Sequence, residues 1–276
     1  MQIIKASGEK ETFSSKKIYH SILEAGASKK LAKETTNLIK TKIHNESTTE
    51  EILNITLKNL KKEPGVAEKY NLKRAIMNLG PAGYAFENYF SEILNAYGYR
   101  TQTGIHLKGK IIQHEVDILA ERQKKFMIEC KYHNEKGIYT KLQPALTAYA
   151  RFLDLERHKI DQPWLVTNTK CSLDAVNYAK GVNLKITSWM PQHSAKRGTP
   201  SCDPENDSLQ HLIENKKLYP ITVLFLKEST RAILLQNKIV MLKSLIEIPT
   251  NELSKLTNLP IKELEKIKDK AREILA

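Results

Sequence analysis

The stretch from residue 111 to 133, IIQHEVDILAERQKKFMIECKYH, constrains this chain more than any other. Two apolar-rich runs, 111–120 and 125–132, flank a polar turn at 121–124 and read as neighbouring strands. Side chains alternate across a strand, so Glu129 and Lys131 share one face while Phe126, Ile128 and Cys130 turn to the core. Asp117 sits in the preceding strand. An acid and a lysine two residues apart are a poor choice for folding alone, because charges on a packed face need partners or a metal ion. Phosphodiester hydrolysis needs such a set. Two carboxylates hold divalent cations against the phosphate, the metal acidifies a bound water, and the lysine orients that water or stabilises the transition state. Hard oxygen ligands select Mg²⁺ or Mn²⁺ over zinc. His114 and His133 flank the acids and read as strand-surface residues or DNA contacts rather than metal ligands.

Around this stretch the chain divides readily. Residues 2–13 read as a hairpin turned at Gly8, and from Ser14 the period becomes helical, with Ile18, Ile22, Leu23 and Ala25 on one face. A second helix is expected over 31–43. A third starts at the Thr48-Thr49-Glu50-Glu51 cap and runs to Pro64-Gly65, and a fourth covers 66–79. Gly80-Pro81 breaks the pattern and marks the first domain boundary. Residues 83–97 form an amphipathic helix burying Phe86, Tyr89, Phe90, Ile93 and Leu94, ended by Gly98. Strands are expected at 99–103, 111–120, 125–132, 164–167 and 184–189, with helices at 141–156 and 172–180, which gives a mixed sheet flanked by helices. Residues 191–207 are a polar linker, and only helical patterns follow.

With 276 residues, two or three domains are expected. Lys and Arg outnumber Asp and Glu in every third of the chain, and the net charge of +13 favours a polyanionic partner, nucleic acid ahead of a membrane surface. The three cysteines form no CxxC pair, so no structural zinc site is expected, and their odd number points to a reducing cytoplasm. The opening MQIIKASGEK lacks an apolar signal core, and no apolar run approaches the ~20 residues of a bilayer span. A cytoplasmic protein without a membrane partner is expected.

Asp117 followed by Glu129-Cys130-Lys131 resembles the PD-(D/E)xK nuclease signature, and residues 81–190 resemble the Mrr-type restriction endonuclease domain more narrowly. The helix GYAFENYFSEILNAYGY looks like that family's first helix, in which a glutamate matching Glu87 completes the acidic cluster. Gln143 is placed like a glutamine that recurs in the family, and WLVTNTKCSLDAVNYAKGVNLKITSW resembles its closing strand–helix–strand. The family's Pro-Asp is Val116-Asp117 here. The resemblance implies catalytic roles for Asp117, Glu129, Lys131, Glu87 and Gln143, with Asp117, Glu129 and Glu87 as metal ligands.

Residues 1–80 resemble the ATP-cone domain, through IIKASGEKETFSSKKIYHSILEAG, STTEEILNITLKNL and VAEKYNLKRAI. That implies an adenine nucleotide, ATP or dATP, with Lys5 and Lys17 toward phosphate and Glu11 and Ser14 toward base or sugar. Thr49, or Thr48 beside it, caps or touches the nucleotide. The family's Lys-Arg-x-Gly is Lys5-Ala6-Ser7-Gly8 here. No Walker-type GxxxxGK[ST] is present, so the nucleotide is expected to act as an effector rather than a fuel. The end of the chain, two helices at about 251–256 and 261–275 around a tight turn, looks like a helix-hairpin-helix module. Lys255, Lys262 and Lys266 would grip the DNA backbone, with Asn258-Leu259-Pro260 in place of the usual glycines.

The expected fold class is α+β. A restriction-endonuclease-like mixed sheet flanked by helices (81–190) follows a mainly helical ATP-cone-like domain (1–80) and precedes a linker (191–207) and a helical module (208–276). The expected activity is that of a Mg-dependent deoxyribonuclease, restriction-like of type II or IV, serving defence or DNA processing. DNA, an adenine nucleotide and further copies of the chain in a homo-oligomer are the expected partners. Two alternatives stay open: a nucleotide-responsive DNA-binding regulator with an inactive nuclease fold, and a structure-specific junction or flap nuclease.

Overall fold

The computed structural model describes residues 1–80, 84–135, 137–190 and 204–276. The break at Pro81, the expected helix start at Gly83 and most of the expected linker lie outside the described residues.

At the N-terminus β1 (Gln2–Ile4) and β2 (Lys10–Thr12) pair antiparallel around Gly8, whose φ of +84° suits a residue without Cβ. Helix α1 (Ser15–Glu24) is capped by Ser14, whose hydroxyl accepts the Lys17 amide at 3.3 Å. Helix α2 (Lys29–Lys42) is capped by Ser28. Helix α3 (Thr49–Leu60) begins with a reciprocal box: Thr48 Oγ1 accepts from the Glu51 amide at 3.1 Å, and the Glu51 carboxylate accepts from the Thr48 amide at 3.0 Å. Each such cap contributes about 1 kcal/mol by satisfying amides the helix cannot.

The fourth helix expected over 66–79 is two: α4 (Val66–Tyr70) and α5 (Leu72–Met77), divided at Asn71. The reason lies in what each half buries. Val66, Ala67 and Tyr70 pack into the small core with Ile22, Leu31 and Leu60, whereas Leu72, Ala75, Ile76 and Leu79 join the large core beyond. The elbow at Asn71 lets a single segment serve both.

Helix α6 (Tyr84–Ala96) leads into β3 (Arg100–Lys108), β4 (Gln113–Glu121) and β5 (Lys125–Lys131). After β6 (Tyr139–Thr140) come α7 (Leu142–Asp154), β7 (Gln162–Thr167), β8 (Lys170–Cys171), α8 (Leu173–Gly181) and β9 (Lys185–Thr187). The five-stranded sheet has the order β3-β4-β5-β7-β9, with β3-β4-β5 antiparallel and β5-β7-β9 parallel. Strand β3 runs well past the expected 99–103. Its far half alternates, with Ile105 and Leu107 packed against the α7 side of the sheet and His106 and Lys108 exposed. The short β6 and β8, which pair parallel with one another, were not expected from the sequence.

One face of the sheet packs against α7 and α8 through Met127, Leu165, Ala145, Ala148 and Ala179. On the other face Phe86 and Phe90 of α6 meet Ile118, Phe126 and Trp164. That core continues without a gap into the C-terminal helices α9 (Leu209–Asn215), α10 (Glu228–Gln236), α11 (Leu242–Glu247), α12 (Thr250–Thr257) and α13 (Ile261–Leu275). Buried hydroxyls lock the junction: Tyr89 donates to the Leu218 carbonyl at 2.7 Å, Tyr97 to Leu212 at 2.9 Å and Thr222 to Ala75 at 2.7 Å. Between α12 and α13, Asn258 takes the left-handed slot (φ +56°) that glycine usually fills. Among the described residues no helix is long and apolar enough to cross a membrane.

Candidate active site and interdomain cavity

Asp117 stands where the sheet loosens. The β3–β4 ladder omits Gly104 (φ +60°) and Asp117, and the β4–β5 ladder ends at Ile118. Val116 packs on the α7 side and Ile118 on the α6 side, although strict alternation would give both the same face. The loosened strand turns the Asp117 carboxylate inward, and its Oδ2 accepts the Cys130 amide at 2.6 Å. Glu129 and Lys131 share the β5 face toward α7, while Cys130 packs against the opposite core, as alternation requires. Glu129 accepts a hydrogen bond from Arg151 Nη1 of α7 at 2.5 Å, and Lys131 is exposed.

Glu87 enters from the first turn of α6. Burial, then the charges of Asp117, Glu115 and Glu129, push its carboxyl up to about 7. Glu129 is likewise pushed up to about 7, by burial and by Asp117, against the pull of Arg151. Asp117 is raised by burial, opposed by the Cys130 amide and Arg151. Glu87, Asp117 and Glu129, from three elements, thus repel one another in a half-buried place. Among the described residues no three His, Cys, Asp or Glu side chains lie together closely enough to hold a metal ion as they stand. Asp117 is turned to an amide and Glu129 to an arginine. The donor set nonetheless suits a hard divalent cation, which would relieve the repulsion among these oxygens.

Two contributors escaped the sequence reading. Arg151 lies eight residues, a little over two turns, beyond Gln143 on α7, and that spacing was the available signal. Glu115, exposed on β4, adds its charge to the set. Gln143 itself is exposed near the start of α7. Both histidines are partly buried: His114 Nε2 lies 2.8 Å from Asp154, and His133 Nε2 lies 3.1 Å from Thr140 Oγ1.

Of the residues expected at a nucleotide, Lys5, Glu11, Lys17 and Thr49 line a cavity of about 780 Å³. Ser14 is not among the residues that line it, and its hydroxyl caps α1. Glu11 sits between the two lysines, 3.4 Å from Lys5 Nζ and paired with Lys17, and this pairing lowers its carboxyl below the usual range. The cavity's other walls come from the Asn71 elbow, from Gly137 to Tyr139 and Thr169-Lys170 of the sheet region, and from α9. Lys255, Lys262 and Lys266 are exposed on α12 and α13, whereas Lys268 is buried, its ammonium donating to the Ile248 carbonyl.

A family model described as ATP cone domain matches residues 1–78, one described as restriction endonuclease (Mrr_cat) matches 81–192, and one described as AF1548-like, C-terminal, matches 219–275. The chain is thus a restriction-endonuclease-like α+β protein behind an ATP cone. An uncharacterized protein of Archaeoglobus fulgidus is 34% identical over 187 residues, covering 67% of this chain and 95% of that one. The crystal structure of a protein of unknown function, AF1548, is 31% identical with a TM-score of 0.59, covering 70% of this chain and 98% of that one. The chain belongs to this AF1548-like family.

Proposed function

We propose that this protein is a metal-dependent DNA endonuclease whose activity responds to ATP or dATP. What carries this is the meeting of Glu87, Asp117 and Glu129 from three elements, mutually repelling, with Lys131 on the same strand face as Glu129. These three carboxylates would hold Mg²⁺ or Mn²⁺, which supplies an acidified water and neutralises charge on the phosphate. Lys131, exposed at the strand end, meets the phosphate or the attacking water. Arg151 orients Glu129, which would be one of the ligands of the cation, and Gln143 supports the site or touches DNA from the start of α7. Lys255, Lys262 and Lys266 add backbone contacts from the C-terminal helices, in keeping with the net charge of +13.

One observation favours a binding-only regulator instead: Glu129 is engaged by Arg151 in an ion pair. Nicking of supercoiled plasmid separates the two. Wild type with Mg²⁺ or Mn²⁺ is expected to nick, and Asp117→Ala and Lys131→Ala are each expected to lose at least about 100-fold. ATP is expected to change the wild-type rate. Equal rates for wild type and both variants, on plain, methylated and branched DNA, would sink the nuclease and leave the regulator.

A further inference from the structure

We propose that the nucleotide seat is completed across the domain boundary, with Lys170 of the nuclease domain binding the polyphosphate and Asn71 binding the base or sugar. This rests on the reading that the cavity takes an adenine nucleotide. At about 780 Å³ it falls within the range of ligand pockets.

Of the cations that line it some are already paired, Arg74 with Glu50 among them. Lys5 and Lys17, from the cone, are already paired with Glu9 and Glu11. Lys69, Lys73 and Lys170 also line the cavity, and among the described residues none of the three forms a salt bridge. Lys73 lies near enough to Lys170 that, after burial, this like charge lowers its ammonium further. Glu24, Glu135 and Glu214 also line the cavity, yet none pairs with these three lysines, and three such ammonium groups suit an anion of several charges between them. The cone hairpin reads Lys5-Ala6-Ser7-Gly8, with no cation at its second position, and the nuclease domain comes up against that turn. A Cβ on Gly137 would lie 2.8 Å from Ser7 Cα, so the two backbones touch.

Asn71 supplies an observation of a different kind. It is only 5% exposed and lines the cavity, and its Oδ1 has no hydrogen-bond partner. Asparagine at a helix start ordinarily caps, yet this side chain makes no cap bond to α5. A buried amide oxygen without a donor is costly to keep. Adenine offers an amino group and ribose its hydroxyls, either of which satisfies it.

The nuclease wall of the cavity is joined to the active strand. Tyr139 and Lys170 are register partners in the β6–β8 pair. The next residue, Thr140, hydrogen-bonds Thr167 at 2.7 Å, and Thr167 is the register partner of Lys131. A nucleotide gripped by Lys170 therefore braces the cone against the segment that leads from Lys131 into α7.

Binding of ATP and of inorganic tripolyphosphate to the full chain, by calorimetry, tests this with wild type, Lys17→Ala, Lys170→Ala and Asn71→Leu. Lys170→Ala is expected to weaken both ligands about tenfold or more, whereas Asn71→Leu weakens ATP and leaves tripolyphosphate unchanged. Melting curves confirm that each variant is folded. ATP is also expected to slow hydrogen exchange at residues 137–141 in wild type, and not in Lys170→Ala. If Lys17→Ala loses ATP while Lys170→Ala and Asn71→Leu bind like wild type, the shared seat is overturned and the cone reading stands. If wild type itself binds no ATP, the cone reading fails and takes this proposal with it.

Discussion

Replacing Asn71 by leucine should make the nucleotide-free protein more stable while it weakens the protein's hold on ATP. The side chains are similar in size, and the backbone at φ −84°, ψ 4° carries no positive-φ strain. The Asn71 amide keeps its 3.0 Å bond to the Ala67 carbonyl whatever the side chain. What changes is Oδ1, buried and without a partner, a penalty of about 1–3 kcal/mol that leucine does not carry. Allowing a few tenths for the poorer fit of leucine at a helix junction, the net gain is about 1–2 kcal/mol. For a chain of this size that is a rise of about 2–8 °C in Tm. With ATP in excess the order reverses in part, because a tenfold loss of affinity removes about 1.4 kcal/mol of ligand stabilisation. Differential scanning calorimetry with and without ATP reads both effects. A lower Tm without ATP would refute the reasoning, since it would mean that the Asn71 side chain is needed for the fold rather than for a ligand.

Gly137→Ala should cost about 1–2 kcal/mol from the left-handed backbone at φ +79°, and more where its Cβ meets Ser7, so Tm falls by several degrees; an unchanged Tm would mean that loop and hairpin do not touch. Tyr89→Phe leaves the buried Leu218 carbonyl without its donor and should cost about 1–3 kcal/mol in urea unfolding; no loss would argue against the locked junction of α6 with the C-terminal helices. Glu87 and Glu129 are raised to about 7 from the ordinary 4.5, so the folded, metal-free protein holds protons that the unfolded chain has released. Their contribution to stability is therefore full below about pH 4.5 and is lost as pH rises through about 7. Glu87→Gln should flatten that fall in a pH series of urea melts without metal, and an identical pH profile would show that Glu87 is not held this way.

Much of the site was legible from local pattern. Strand alternation put Glu129 and Lys131 on one face and Cys130 on the other, and the cap at Thr48 followed from residue type. These depend on neighbours within a few residues, and such short-range rules can be read along a chain. The structure alone decided the rest. The loosening of β4 at Asp117 depends on Gly104 in another strand, and the Arg151–Glu129 pair depends on how α7 lies across the sheet. The division of 66–79 at Asn71 depends on two cores that claim opposite halves of one segment. The C-terminal helices read as a separate tail, yet Leu212, Val223 and Leu264 share the core of Phe90 and Trp164. Hydrophobic burial is non-directional, so a sequence shows which faces are apolar but not which distant face each one meets. Lys5 and Lys170 line one cavity for the same reason: packing between domains brought them together, and no spacing in the sequence records it.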